Sequence, residues 1–428
     1  MTFKRIAVAL VAVLALGALV LGCKPKAAEK VVVKAMAYGD NSNSEGVNWV
    51  RIVKEFEKAN PDIDIDYELL YDEAYHQKVQ ARLASGDVPH FAYMGADARW
   101  GAPWKEASQQ VDHRPWIDTA KYDMKLIPSM GPNGEIYEIP LGTSNITTVM
   151  FMNKKLVEEM GFSAPKTYED LVAMVPAAQE RGIDVISFDG ADGWAWGSCY
   201  MSAIIARLSG DANWVSKAVA GKNKFTDDVF VQSLSIIERM LDDGLFNKNV
   251  VMVDDGASKS NFTNEKAMFM IQGQWAAGGI EQPTQDNTVL LAFPKLPGEK
   301  ANMAGSVAAA IQVGYGLTKA GAADEKVRTA ALKFIDYFYS TPETTQRLLD
   351  GAIVAPILKG YQIPAELPAV NVSKVQLAQR STTQTDVIDA FLGGAANDAL
   401  NAGMQKIAAG QATPEEVAAE VERLLRGN

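Results

Sequence analysis

Residues 31–94 read VVVKAMAYGDNSNSEGVNWVRIVKEFEKANPDIDIDYELLYDEAYHQKVQARLASGDVPHFAYM. The run Val31–Tyr38 is apolar and β-branched, which is typical of a buried strand, and residues 63–67 alternate as a second strand. Apolar residues recur at helical spacing between these strands and again over residues 72–85. With a third short strand at 91–94, the order strand, helix, strand, helix, strand predicts an α/β fold built on a parallel sheet.

The rest of the chain continues this alternation. A length of 428 residues exceeds one ordinary core and predicts two domains or lobes. Further strands are predicted over residues 140–153, 267–271, 288–293 and 308–317, and helices over 168–181, 196–208 and 227–243. The last stretch is predicted to be helical, with prolines marking its joints.

The N-terminus decides the compartment. Two basic residues precede an apolar run that ends at Gly22 and Cys23, a layout that predicts a secretory signal peptide over residues 1–22. A cysteine after a small residue at this boundary resembles the bacterial lipobox. We therefore expect Cys23 to be lipidated, residues 23–30 to form a tether, and the protein to lie outside the cytoplasm, in the periplasm or at the cell surface, anchored to a membrane. The alternative is an ordinary cleaved signal in which Cys23 is incidental.

The amino-acid composition restricts which classes of partner the protein is expected to bind. The formal charge of −11 becomes −13 without the signal peptide, and no basic stripe is present, which argues against nucleic acid as a partner. Apart from Cys23 the chain has one cysteine, Cys199, which can form no intramolecular disulfide and is expected to be a packed core residue.

Local motifs for catalysis and for cofactors are missing from the sequence. It has no phosphate-binding glycine loop, no H-E-x-x-H zinc motif and no G-x-S-x-G nucleophile elbow. Residues 189–193, DGADG, resemble a calcium loop but fail at its third and fifth ligand positions. We expect no enzyme activity, no cofactor and no metal, although a pair of carboxylates acting as a glycosidase stays open.

Several segments, in order and spacing, resemble one family: the extracellular solute-binding proteins of carbohydrate-uptake ABC transporters, the group that includes maltose-binding protein. These segments are FEKANPDI at 56–63, LASGDVP at 83–89, FAYM at 91–94, IP at 139–140, VMFMNK at 149–154, PKTY at 165–168, KAMFMIQGQW at 266–275 and TPEE at 413–416.

The resemblance implies a two-lobed periplasmic-binding-protein fold of type II, with three interlobe crossings and the ligand between the lobes. It places residues 31–141 with 292–315 in lobe 1 and residues 142–291 with 316–428 in lobe 2. Crossings are expected at residues 140–144 and near Leu291 and Gly314. Such hinges permit closure around a ligand.

A sugar site needs polar side chains for hydroxyls and aromatic rings for the flat faces of the sugar. Loops at the carboxyl ends of parallel strands supply such groups, and Trp275 also matches the family's stacking position. Each candidate has a plainer reading as a core residue or a solvated turn. The candidate ligand-binding residues are Asp40, Asn41, Asp97, Trp100, Ser144, Asn145, Trp194, Trp196, Trp275, Gly305 and Ser306.

The sequence thus predicts a monomeric substrate-binding lipoprotein that delivers a sugar to a membrane permease. Some relatives carry an extra stacking tryptophan in the segment matching residues 389–401, where this chain has only Phe391, so we expect a mono- or short oligosaccharide. Three alternatives remain open. They are the same fold with another solute (a polyamine, a peptide or an anionic oligosaccharide), a secreted glycoside hydrolase, and a surface adhesin or sensory sugar-binding protein.

Overall fold

A computed structural model describes residues 30–427 of the chain. The predicted signal peptide and the predicted lipidation site Cys23 lie outside this part. The described strands, β1 to β12 along the chain, are Val31–Tyr38, Ile63–Leu70, Phe91–Met94, Ile139–Pro140, Asn145–Ile146, Val149–Asn153, Asp184–Ser187, Ala267–Gln272, Thr288–Leu291, Val307–Ala310, Gly314–Leu317 and Gln384–Thr385.

The first lobe is built on a five-stranded sheet in the order β2-β1-β3-β11-β4. Its first three strands are parallel, with Val31 opposite Ile63 and Tyr38 opposite Leu70, as the alternating pattern predicts. β11 is antiparallel to both of its neighbours. The helices of this lobe are Ser44–Ala59, Asp72–Ser85, Ala102–Glu106, Lys319–Ala323, Glu325–Phe338 and Thr341–Leu349.

The second lobe is built on a four-stranded sheet in the order β7-β8-β6-β9. β8 is buried along its whole length, which explains the apolar run from Ala267 to Ile271, and it ends at the buried polar residue Gln272. The helices of this lobe are Lys154–Glu159, Tyr168–Arg181, Gly193–Ala195, Ser202–Ser209, Trp214–Val219, Asp228–Asp242, Asp255–Thr263, Thr284–Asn287, Ala369–Arg380, Ile388–Phe391, Gly394–Ala408 and Pro414–Arg426, with a π-helix at Trp196–Met201 and 3₁₀ turns at Val250–Met252, Gln274–Gly279 and Ala301–Met303.

A small third sheet, in the order β12-β10-β5, lies where the chain passes between the lobes. The first crossing runs through residues 141–144 and the second through residues 311–313, between β10 and β11. The third lies between Leu367, which packs against the first core, and the helix Ala369–Arg380, where the Ser373 hydroxyl accepts from the backbone N–H of Leu290 on β9. Three crossings are thus present.

The predicted lobe boundaries differ from the cores that the structure shows. Residues 292–315 were expected in lobe 1, yet Phe293 and Leu296 are buried in the second core. Residues from 316 onward were expected in lobe 2, yet the first core includes Leu317 and Phe334 and extends to Leu358. The crossing predicted near Leu291 is therefore wrong, while those at 140–144 and near Gly314 are present. The cause is that amphipathic helices carry no local signal for which sheet they cover.

Two local predictions also change. The helix predicted from residue 196 begins as the π-helix Trp196–Met201 before the α-helix Ser202–Ser209. The strand predicted over residues 308–317 is interrupted by the second crossing, so its halves belong to different sheets. Within residues 30–427 no helix combines the length and the apolar character needed to cross a bilayer.

Candidate functional site

A cleft opens where the two lobes face each other, at the carboxyl ends of β1, β2, β3 and β8. Parallel strands of a sheet end at the same edge, so the loops after them meet there. The space in the cleft is about 890 Å³, including the part open to solvent. It is lined by Tyr38, Glu45, Tyr71, Asp72, Tyr93, Asp97, Arg99, Trp100, Asn145, Thr147, Trp194, Ser198, Gln274, Trp275, Ala310, Ile311, Gln312, Val313, Val387, Asp389 and Ala390.

The first lobe contributes what we call the N-terminal wall: Tyr38, Glu45, Tyr71, Asp72, Tyr93, Asp97, Arg99 and Trp100. Its rings pack on one another. Tyr38 stacks on Tyr93 with ring centroids 5.1 Å apart, meets Trp100 edge-on at 5.1 Å and contacts Tyr71 at 5.2 Å. Such pairs add to the stabilisation from burial. This wall is therefore held together by its own rings.

The second lobe contributes the C-terminal wall: Trp194, Ser198, Gln274, Trp275, Val387, Asp389 and Ala390. The rings of Trp194 and Trp275 lie 5.9 Å apart and remain partly exposed. The Trp275 ring covers Gly273, where a β-carbon would collide with it. Gly273 is thus required for the position of the ring, since any side chain there would displace it.

Burial changes the protonation of two carboxyl groups in the N-terminal wall. Desolvation raises the pKa of Asp97 to about 7, although its Oδ1 accepts hydrogen bonds from the backbone N–H groups of Arg99 (3.1 Å) and Trp100 (2.7 Å). Desolvation likewise raises the pKa of Asp72 to about 6. The environment therefore disfavours both negative charges.

Arg99 connects the two walls. Its guanidinium lies 3.6 Å from the Asp389 carboxylate of the second lobe and donates to Glu73 at 2.7 Å. It also donates to Nε2 of His76 at 3.2 Å, and burial lowers the pKa of this imidazole to about 3, so His76 is neutral and can accept. Beside this ion pair the backbone N–H of Ala98 donates to the carbonyl of Ala390 at 3.0 Å. The lobes are thus in direct contact at this end of the cleft.

Five of the sequence candidates line this cleft: Asp97, Trp100, Asn145, Trp194 and Trp275. The amide of Asn145, at the first crossing, accepts from Gln274 at 3.3 Å. These five residues lie together in the lining of the cleft, and their role as ligand contacts stays a prediction.

Trp196 is not in the cleft. Its side chain is fully buried, packs 4.7 Å from the Phe188 ring, and its indole N–H donates to the carbonyl of Gly190 at 2.9 Å. The interpretation of Trp196 as a sugar contact is therefore wrong, and it is a core residue. Of the two tryptophans in this loop, the cleft-facing one is Trp194.

Asp40 and Asn41 do not line the cleft either. The Asp40 carboxylate accepts from the backbone and hydroxyl of Ser42 at 2.7 and 2.6 Å and from Asn43 at 3.0 Å, so it holds its own loop together. Asn41 is exposed. Tyr38 before this loop and Glu45 after it line the cleft instead.

Ser144, Gly305 and Ser306 also lie away from the cleft lining. Ser144 and Ser306 are buried, and the Ser306 carbonyl accepts from Arg207 at 3.0 Å. Gly305 has φ +75°, a turn conformation that favours glycine. Ser144 was chosen for its place at the first crossing, and Gly305 and Ser306 were chosen from the resemblance to the family.

Sequence reasoning missed much of the N-terminal wall and all of the contribution from residues 387–390. Tyr71 and Asp72 follow β2 directly, so the strand-end rule could have found them. Asp389 could not be found in this way, because it reaches the cleft from a short helix far along the chain. Cys199 is buried, as predicted, and its thiol lies 3.1 Å from Oε1 of Gln272. No group of three or more His, Cys, Asp or Glu side chains in residues 30–427 is placed to hold a metal ion.

The fold and the cleft define a two-lobed solute-binding protein. Residues 39–345 match the family model described as bacterial extracellular solute-binding protein, which covers well over half of the chain. The chain belongs to this family.

The chain is also similar to several individual proteins. The chain is 24% identical over 339 residues to the multiple sugar-binding protein of Streptococcus mutans, covering 77% of this chain and 76% of the relative. It is 21% identical to lipoprotein LipO of Bacillus subtilis over 50% of this chain and 45% of that one. The solved structure of a chitin oligosaccharide binding protein has a TM-score of 0.79 at 20% identity, covering 92% of this chain and 98% of the other. The predicted fold class is thereby confirmed.

Proposed function

We propose that this protein is the solute-capturing component of a bacterial ABC importer and that its solute is a sugar of one or a few rings. The observation that carries the proposal is the pair of partly exposed rings, Trp194 and Trp275, which line one cleft together with carboxylate and amide groups. A sugar presents hydroxyls to polar groups and C–H faces to rings, so this lining complements it. The similarity to a multiple sugar-binding protein supports the same class of solute.

Capture works by closure. A ligand that contacts both walls favours the closed form by its differential affinity for that form. In the closed form the Arg99–Asp389 ion pair and the Ala98–Ala390 hydrogen bond join the lobes at one end of the cleft. The permease then recognises the joined lobe surfaces, and the sugar is passed on unchanged.

The anchor is the second part of the proposal. Cys23 carries the lipid, and residues 24–30 act as the tether between the membrane and β1. The similarity to lipoprotein LipO supports this view. Exchange of Cys23→Ser in the native host should move the protein from the membrane fraction to the soluble fraction. Equal partition of the wild type and the variant would contradict the anchor while leaving the sugar site intact.

The sugar site is tested with a chain of residues 24–428, which contains both cores and all the described strands and helices. Thermal melts are measured against mono- and oligosaccharides, polyamines and peptides. A ligand specific for the folded state stabilises it by about 2.7 kcal/mol at a hundredfold excess over its dissociation constant. A melting shift with one class of sugar, recovered uncleaved, supports the proposal. Cleaved sugar would replace it with the hydrolase, and shifts with polyamines or peptides alone would replace the solute.

A further inference from the structure

The lobes touch at one end of the cleft, at what we call the 98–390 joint: Ala98 and Arg99 of the first lobe with Asp389 and Ala390 of the second. The backbone N–H of Ala98 donates to the carbonyl of Ala390 at 3.0 Å. The guanidinium of Arg99 lies 3.6 Å from the Asp389 carboxylate, and these side chains are only 15% and 14% exposed. A β-carbon on Gly393 would lie 3.3 Å from that of Ala98, so the backbones of the two lobes are in close contact here.

The 98–390 joint divides the space between the lobes. Two outer spaces adjoin the cleft, one lined in part by Phe391 and the other in part by Gly393. Ala390 lines both the cleft and the first outer space, and Arg99 lines both the cleft and the second. Ala98 lines both outer spaces and is not part of the cleft lining. The joint therefore separates the cleft from the two outer spaces.

The lobes touch a second time at what we call the 278–351 joint: Leu349, Asp350 and Gly351 of the first lobe with Gly278, Asn371 and Lys374 of the second. Nζ of Lys374 donates to the carbonyl of Gly351 at 2.5 Å, and Nδ2 of Asn371 donates to the carbonyl of Leu349 at 2.7 Å. Both side chains are buried. They bind carbonyls at the carboxyl end of the helix Thr341–Leu349, where intrahelical partners are lacking, so this contact is well satisfied.

The 278–351 joint adjoins another part of the cleft lining. A β-carbon on Gly278 would collide with the carbonyl of Asp350 and would lie 3.0 Å from the Ser44 hydroxyl. Ser44 directly precedes Glu45, and Gly278 lies in the same 3₁₀ turn as Trp275. Because Glu45 and Trp275 both line the cleft, this joint bounds it on their side, as the 98–390 joint does beside Arg99 and Asp389.

We propose that the two joints enclose the bound sugar, so that the protein captures mono- and disaccharides and excludes longer chains, and that Asp389 sets this limit. The assignment rests on the proposed sugar-binding function and narrows it by size. Clefts of about 300–1,000 Å³ enclose most of a ligand the size of a drug molecule, and the 890 Å³ of this cleft lie in that range. A longer chain keeps one joint open and loses the contacts that favour the closed form.

The test compares sugars that differ only in length. Residues 24–428 are titrated by calorimetry with α-1,4-linked glucose, β-1,4-linked xylose and β-1,4-linked N-acetylglucosamine, each as a series of one to five rings. In the series that binds, we expect the tightest member to have one or two rings and the members of three or more rings to bind at least about tenfold more weakly. A bulky aromatic group on the anomeric oxygen of the tightest member should cause a similar loss, because neither end of an enclosed sugar reaches solvent.

Variants at position 389 then locate the limit. Asp389→Ala removes the side chain that faces Arg99 beside the cleft, so the preference for short members should fall to less than about threefold. Asp389→Asn keeps the size of the side chain and an acceptor for Arg99, and should retain the preference of the wild type. Asp242→Ala is the matched control, since it removes an exposed carboxylate of the same lobe outside the cleft. Urea unfolding confirms that each variant is folded.

The outcomes separate the two claims. Members of three to five rings that bind the wild type as tightly as the short ones would overturn the enclosure and leave sugar capture standing. Undiminished binding of the aromatic glycoside would also overturn it. An Asp389→Ala protein with the length preference of the wild type would overturn the role of Asp389. Failure of every sugar in the wider panel to bind would overturn the proposed function itself, and the assignment with it.

Discussion

The two walls of the cleft are both aromatic, yet their rings have different neighbours. In the N-terminal wall Tyr38 contacts Tyr71, Tyr93 and Trp100 at centroid distances of 5.1 to 5.2 Å. In the C-terminal wall Trp194 and Trp275 contact each other at 5.9 Å and no other aromatic ring among residues 30–427. The rings of the N-terminal wall pack on one another and have a structural role. The partly exposed pair Trp194 and Trp275 instead has a surface that a ligand can contact.

The same contrast exists between two tryptophans of the second lobe, Trp196 in the core and the partly exposed Trp275 in the cleft. Replacing Trp196 by alanine leaves a large cavity in the second core and should cost about 3–5 kcal/mol of the free energy of unfolding. Trp275→Ala should cost less, about 2 kcal/mol, because that ring is partly exposed whereas Trp196 is fully buried. Urea unfolding of the ligand-free proteins measures both. Equal losses would remove the distinction between core and cleft tryptophans.

For sugar affinity we expect the opposite order, with the larger loss in Trp275→Ala. Trp275→Ala removes the apolar surface against which the sugar ring packs, so we expect affinity for the best sugar of the panel to fall about 10- to 100-fold, or about 1.4–2.8 kcal/mol. Calorimetric titration measures this loss. Trp116→Ala, in the first lobe and outside the cleft, is the control and should bind as the wild type does. A Trp275→Ala protein with unchanged affinity would exclude this ring from the site.

Gly273 provides a further test of the role of Trp275. A substitution there should affect sugar affinity only by changing the position of the Trp275 ring. In Gly273→Ala the new β-carbon would collide with the Trp275 side chain, so the ring must move and affinity should fall several-fold, about 1 kcal/mol. Gly279→Ala, in the 3₁₀ turn that follows, places its β-carbon at ordinary contact distance, 3.6 Å from the Lys259 side chain, and should bind normally. Two variants with the same affinity would show that the ring position is unimportant.

The smallest expected effect concerns the charge of the N-terminal wall. The pKa of Asp97 is raised to about 7, so between about pH 4 and pH 7 the folded protein binds more protons than the unfolded chain, and the free energy of unfolding falls as pH rises. Asp97→Asn cannot lose a proton and keeps an oxygen for the two backbone donors. Since Asp97 is partly exposed, we expect a gain of about 0.5–1 kcal/mol at pH 8 and almost none at pH 4.

Urea unfolding of the ligand-free protein at both pH values measures this gain. The nearby charges of Asp389 and Arg99 stay in place in the variant, so they affect both proteins alike. A variant that is less stable than the wild type at pH 8 would contradict the raised pKa.

Local patterns were sufficient for the first three strands and the helices between them. The alternation over residues 31–94 predicts β1 to β3 in their order along the chain, whereas Asp97, Trp100 and Trp275 were chosen both because they follow strands and because they match positions of the resembled family. These features depend on neighbours within a few residues along the chain, which is where periodicity and turn chemistry act.

Long-range features could not be predicted in the same way. The helix Glu325–Phe338 covers the first sheet although its apolar face would suit either lobe. The sequence around Trp194 and Trp196 is rich in glycine and lacks periodicity, so it does not indicate the helix Gly193–Ala195 and the π-helix Trp196–Met201 that hold these two rings. Asp389 and Arg99 meet across 290 positions of sequence. Each of these depends on packing between distant segments rather than on local propensity.

The central claim is that the Trp194–Trp275 pair and the opposing carboxylates form one sugar site. The most direct measurement is a structure of residues 24–428 bound to the tightest-binding sugar of the panel. We expect a sugar ring in van der Waals contact with Trp275, at about 3.5–4.0 Å, with its polar groups on the acceptors of both walls. A sugar bound outside the cleft, or inside it without contact to either tryptophan, would contradict the claim.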